Sequence, residues 1–296
     1  MASSSPVRTR ARTLRTVRTA AEVRAEVGAW RGGGESVAFV PTMGNLHDGH
    51  ASLATLAAGE CERVVASIFV NPTQFGPSED FAAYPRTLAE DTARLAADGD
   101  VDLLFVPDER EIYPFGLEQA IRVALPALSR ELEGASRPGH FDGVASVVCR
   151  LLNIVAPDVL VLGQKDYQQV ILVERMIRDL RLPVRVRVGP TRREPDGLAL
   201  SSRNRYLDAT QRQQAPDLQA SLARLRAAVR AGRRDYGALE GQAVEELRRA
   251  GFRPDYVEVR RAADLAKPGG DDRADDLVVL GAAWLGRARL IDNLRI

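Results

Sequence analysis

Two imidazoles stand three residues apart in Pro41-Thr42-Met43-Gly44-Asn45-Leu46-His47-Asp48-Gly49-His50, in a chain with only three histidines among 296 residues. The apolar run Val37–Val40 precedes them, and Ala51–Ala58, which reads as a helix, follows. A buried strand ending in Pro-x-x-Gly, with a His pair opening the next helix, is suited to holding phosphate. Unpaired N–H groups and a partial positive charge at a helix N-terminus favour an anion. Imidazoles add donors aimed at charge that grows in a transition state. The pattern therefore predicts nucleotide chemistry. H-x-x-H also fits half of a zinc site, but the remaining candidates of the usual type are His140, Cys61 and Cys149, and there is no C-x-x-C pair. Asp48 is expected to face solvent or to act as a helix-end charge.

Lys165 is the second informative residue. The chain uses Arg almost everywhere and has only Lys165 and Lys267 as lysines, so a retained Lys suggests a need for a compact ammonium rather than a planar fork. It lies in Val159–Gln169, another buried strand running through a loop into a helix.

Positioning such loops requires a sheet. Strands are expected at Val37–Val40, Val64–Val70, Leu103–Val106, Val159–Leu162 and Val184–Val188. Helices are expected after His50, from a capping box at Thr87-Leu88-Ala89-Glu90, across Val144–Ile154 and across Gln168–Leu180. Continuous Val/Ile/Leu runs alternating with helices predict a parallel sheet covered on both faces, with ligands at the carboxyl ends of its strands. Beyond Gly189-Pro190-Thr191 the pattern changes. Helices around Pro216–Arg230 and Leu239–Ala250 precede strands at Tyr256–Arg260, Leu277–Ala283 and Arg287–Leu294, the last two joined at Trp284-Leu285-Gly286. The expected division is an Arg-rich disordered extension over 1–13, a Rossmann-like α/β unit over 14–190 and a smaller α+β unit over 191–296. The extension has the composition of a transit peptide, but Arg predominates throughout the chain.

Net charge is +1, which offers no global field for nucleic acid or an anionic membrane. No apolar run approaches membrane-spanning length, and two distant cysteines fit a reducing cytoplasm. Three further loops are polar. Asn71-Pro72-Thr73-Gln74 ends a strand in neutral amides, which suit a small uncharged polar group. Ser136–Gly143 contains Arg137, able to meet a carboxylate, and His140, which also fits a structural role. Glu194–Asn204 sets Ser201 and Ser202 beside Arg203, enough donors for a triphosphate tail.

In this order, Pro41–His50, Phe69–Phe75, Tyr84-Pro85-Arg86-Thr87, Arg137–Gly143, Gly163–Gln169, Asp196–Leu207 and the closing Arg289-Leu290-Ile291-Asp292-Asn293 resemble the pantoate–β-alanine ligases. The resemblance spans nearly the whole chain. It implies a nucleotidylyltransferase-type Rossmann domain with an H-x-G-H signature, a small C-terminal domain over the cleft, and a homodimer. ATP with Mg²⁺, (R)-pantoate and β-alanine are the implied substrates, joined through pantoyl adenylate with release of AMP and pyrophosphate. The resemblance places Met43, Gly44, Asn45, Leu46, His47, Asp48, Gly49, His50, Gly163, Gln164, Lys165, Asp166, Leu200, Ser201, Ser202 and Arg203 around ATP. His50 is the implied proton donor, and Lys165 the group that neutralises charge at the α-phosphate. Ser201, Ser202 and Arg203 would hold pyrophosphate; Gln74 and Gln169 would orient pantoate, with Asn71 in support. Asp91 and Asp166 are candidates for the polar network or the metal, the ion being held mainly by ATP phosphates. Three departures stand out: Gln164 where Glu is common, Leu200 where Met is common, and Arg192 at a position more often apolar. The rivals are another H-x-G-H enzyme, transferring a nucleotidyl group to a phosphorylated acceptor, and a catalytically silent nucleotide-binding protein.

Overall fold

The computed structural model describes residues 13–76, 81–82, 84–125 and 127–296. The expected extension over 1–13 lies outside them apart from Thr13. Within them two sheets form. Strands β1 (Arg15–Val17), β2 (Val37–Thr42), β3 (Arg63–Ile68), β4 (Leu103–Phe105), β5 (Val159–Gly163) and β6 (Arg185–Gly189) make one parallel sheet in the order β1-β4-β3-β2-β5-β6. Strands β7 (Arg253–Arg261), β8 (Leu277–Leu285) and β9 (Ala288–Arg295) make an antiparallel sheet.

Alternation of side chains explains the continuous apolar runs of the parallel strands. Phe39, Val65, Leu103, Phe105, Leu160 and Leu162 pack on one face with helices Ala20–Gly32, His140–Val155 and Tyr167–Asp179. Ala38, Val40, Val64, Ala66, Val159 and Val161 pack on the other with helices Asp48–Glu60 and Leu88–Asp98. A separate core joins helices Asp217–Arg230 and Tyr236–Arg249 to the antiparallel sheet through Leu222, Leu247, Val257 and Val279. The strand order matters most for function. From β2 the chain moves outward to β3 and β4, then returns so that β5 lies on the other side of β2. That reversal opens a crevice between the carboxyl ends of β2 and β5, where the loops carrying His47 and Lys165 begin.

Three details differ from expectation. Strand β1 and helix Ala20–Gly32 were not anticipated; β1 buries only Val17 of its three residues, too little for a periodic signal. Thr87 makes no capping bond; its hydroxyl instead donates to Asp91 Oδ2 at 3.0 Å. Strand β8 continues through Leu285, leaving Gly286 and Arg287 as the turn.

Candidate active site

The loop after β2 is shaped by its own imidazoles. His47 is the N-cap of helix Asp48–Glu60, and its Nδ1 accepts the Gly49 N–H at 3.1 Å. His50, three residues on, accepts the His47 N–H on its Nδ1 at 3.3 Å. This is a reciprocal cap of the kind usually made by a hydroxyl and a Glu or Gln, here built from two rings with centroids 4.2 Å apart. Gly49 is required sterically: a Cβ there would lie 2.8 Å from His47 Cε1. With each Nδ1 accepting, each neutral ring carries its proton on Nε2. Burial, then the cations Lys165 and Arg94, lowers the His47 pKa to about 4. Burial, then His47 and Lys165, lowers that of His50 to about 3. Both rings are neutral donors at pH 7.

Asp91 holds the same loop from helix Leu88–Asp98. Buried to 3 % exposure, it accepts the N–H groups of Asn45 and Leu46 at 2.8 and 2.7 Å. Both carboxylate oxygens are thus occupied by main chain, which suits loop support rather than metal binding.

Beyond β3, Asn71 is fully buried and does not line the cleft. Its Oδ1 accepts from Tyr113 Oη at 2.8 Å, and its Nδ2 donates to Gln74 Oε1 at 3.1 Å and to the Gly143 carbonyl at 3.3 Å. Gln74 is thereby oriented with its amide nitrogen as the end left for a ligand. Gly143 permits this packing, since a Cβ there would meet Thr73 O at 2.2 Å. His140 donates from Nδ1 to the Gln74 carbonyl at 2.8 Å and accepts from Arg137 on Nε2 at 2.9 Å, the structural role open to it in the sequence.

These loops surround a cavity of 250 Å³ lined by Met43, Gly44, His47, Gly49, His50, Gln74, Gly163, Lys165, Asp166, Gln169, Leu200, Ser201, Ser202 and Arg203. The buried Thr191 hydroxyl, which has no hydrogen-bond partner among the described residues, lines it too. An adjoining cavity of 480 Å³ shares Lys165, Gln169, Arg203, Arg137, Phe75 and Tyr84 with the first. The structure therefore gathers most of the sequence-predicted residues. Four others stand outside the smaller cavity: Asn45, whose Oδ1 accepts from Arg205; Leu46; Asp48, exposed and paired with Arg94; and Gln164, bonded to Asn293. Asn293 itself was missed as a site residue. Its signal was an Asp-Asn pair interrupting an apolar strand.

A parallel α/β sheet with its switch-point crevice, neutral imidazoles at one helix start and an ammonium at another, defines a nucleotide-using enzyme. Residues 15–295 match the family description pantoate-beta-alanine ligase. A pantothenate synthetase of Thioalkalivibrio sulfidiphilus is 54 % identical over 96 % of this chain and 98 % of its own. The pantothenate synthetase of Thermus thermophilus superposes with a TM-score of 0.87 at 47 % identity, over 95 % of this chain and 99 % of its own. The pantoate-beta-alanine ligase of Francisella tularensis, complexed with beta-gamma ATP and beta-alanine, gives 0.79 at 34 % identity over 96 % and 98 %. The chain belongs to the pantoate–β-alanine ligase family and is a ligase.

Proposed function

We propose that the ATP-dependent condensation of pantoate with β-alanine runs in this cleft in two steps. The carboxylate of (R)-pantoate attacks the α-phosphorus of ATP, forming pantoyl adenylate and releasing pyrophosphate. The amine of β-alanine then attacks the acyl carbon, and AMP departs as the C–N bond of pantothenate forms. The first step is phosphoryl-type transfer, which depends on positioning and on neutralising charge.

The observation carrying this reading is that two neutral imidazoles whose Nδ1 atoms are engaged, one lysine and the amides Gln74 and Gln169 line the same cavity. His47 and His50 donate hydrogen bonds to phosphate oxygens, and Lys165 supplies the charge they lack. Ser201, Ser202 and Arg203 hold the pyrophosphate. Gln74, aimed by Asn71, and Gln169 orient pantoate through its hydroxyls and carboxylate. Among the described residues no cluster of three or more His, Cys, Asp or Glu side chains could hold a metal, and Asp91 is engaged by main chain. Mg²⁺ would be held mainly by the ATP phosphates, with exposed Asp166, a carboxylate lining the cleft, able to assist. Such an ion shields phosphate charge.

The partners of this reading are these small molecules and a second copy of the chain. Phe115 and Ile121 are apolar side chains, 78 % and 82 % exposed, of the kind a dimer contact would cover. No described helix is long and apolar enough to cross a membrane, and Cys61 and Cys149 are free, in keeping with a cytoplasmic enzyme.

The test is AMP and pyrophosphate release from ATP-Mg²⁺ with pantoate and β-alanine each present or withheld. AMP release should need both acids, and pantoate alone should support ATP–pyrophosphate exchange. Folded protein inactive with both acids would redirect the search to phosphorylated acceptors.

A further inference from the structure

The closing segment Arg289-Leu290-Ile291-Asp292-Asn293 has no task in the chemistry above, yet each of its polar side chains is engaged deep in the structure. Arg289 pairs with Glu133 and Asp255. Asp292, 4 % exposed, accepts two hydrogen bonds from Arg193 at 2.6 and 2.8 Å. Asn293, 2 % exposed, reaches from β9 to the loop after β5. Its Nδ2 donates to the carbonyl of Gln164 at 3.0 Å and to that of Lys165 at 2.9 Å, while its Oδ1 accepts from Gln164 Nε2 at 3.2 Å. The Asn293 N–H donates to Asp292 Oδ1 at 2.7 Å, tying the clasp to the Arg193 pair.

This arrangement bears on Lys165 directly. The ammonium has no hydrogen-bond or ion-pair partner among the described residues, so the backbone carrying it sets its direction. That backbone is a single 3-10 turn, Gln164–Asp166, whose start lacks any side-chain cap. Two carbonyls of the turn are satisfied by one amide from the antiparallel sheet. Only a side chain with two donors on one atom can serve both; a carboxylate of the same size would set lone pairs against them.

We propose that Asn293 is a positioning residue for Lys165, fixing the main chain of the lysine turn so that the ammonium is aimed at the cleft while the C-terminal sheet is docked. The inference rests on Lys165 acting at the α-phosphate, as read above. A strand residue serving only stability would affect both reaction steps and all substrates alike; one acting through Lys165 affects the first step and has no effect once the ammonium is gone.

The experiment is a double-mutant cycle read by pantoate-dependent ATP–pyrophosphate exchange in the full-length protein. Asn293→Ala should lower kcat about 10- to 100-fold, the scale of a misplaced catalytic group, with KM for ATP little changed. In the Lys165→Ala background the same substitution should change the residual rate by less than about twofold, since groups acting as a unit do not add. Asn293→Asp should fall with Asn293→Ala, and Asn293→Ser, which keeps one donor, should recover part of the rate. If Asn293→Ala does not fold, these two variants enter the same cycle. Losses that multiply in the double mutant, a change confined to KM, or wild-type kcat in Asn293→Ala would overturn the proposal. Wild-type exchange by Lys165→Ala would remove the reading of the lysine and this inference with it. A crippled Lys165→Ala beside a normal Asn293→Ala would overturn this inference alone.

Discussion

The two walls of the cleft are built in opposite ways. The His47–His50 wall is organised chiefly by atoms within three residues of one another, with Asp91, Arg94 and Arg205 as its distant supports. The Lys165 wall takes its hydrogen bonds from a strand 128 and 129 residues further along the chain. A short-range cap forms wherever its helix starts. A long-range clasp forms only once two sheets have packed, so the charged wall depends on the tertiary structure far more than the neutral one does.

The comparison can be broken most forcefully at its charged end. Lys165→Ala should cost about 2.7–4 kcal/mol of transition-state stabilisation, or roughly 10²–10³ in kcat, as expected for losing one preorganised group. Turnover near the wild-type rate would show that the neutral wall suffices. Next in size, Asp91→Ala leaves the Asn45 and Leu46 N–H groups without their acceptor, and should lower stability by about 1–3 kcal/mol, seen as a reduced urea midpoint with unchanged m-value. An unchanged midpoint would mean that the imidazole cap holds the loop unaided.

The smallest effect concerns pH. Both histidines titrate near 6.5 when unfolded but at about 4 and about 3 in the fold. As pH falls below 6.5 the unfolded chain binds protons that the folded one refuses, so stability drops. It is fully present above that value and progressively lost toward pH 4 and below. His50→Gln keeps a side chain able to complete the cap at the third helical position while removing a proton site. Its stability should therefore decline less between pH 7 and 5 than that of the wild type. Equal declines in paired urea titrations would rule out His50 as a source of the slope.

Legibility in the sequence follows the same division. The parallel α/β class, five of its six strands and the helix after His50 could be read because buried runs and helical periodicity are local signals. The short strand Arg15–Val17 could not, having one buried side chain among exposed residues. At Thr87 the capping pattern was present in the letters, but the side chain accepts no helix N–H and its hydroxyl donates to Asp91, one residue beyond Glu90. Family resemblance supplied roles for Lys165, Gln74 and Gln169. The Asn71–Gln74 bond is local, but the contacts of Asn71 with Tyr113 and Gly143, and those of Asn293 with the lysine turn, cross the fold, and spacing does not encode them.

The imidazole cap has a thermodynamic consequence. The same Nδ1 atoms that end the helix fix which ring nitrogens bear protons, so the donor pair is aligned when the chain folds. The rotamer entropy of two aromatic side chains is surrendered once, during folding, rather than at every nucleotide encounter. In the proposed reaction, charge developing on a phosphate would thus meet dipoles that need little reorganisation, leaving binding energy available for the mobile partners.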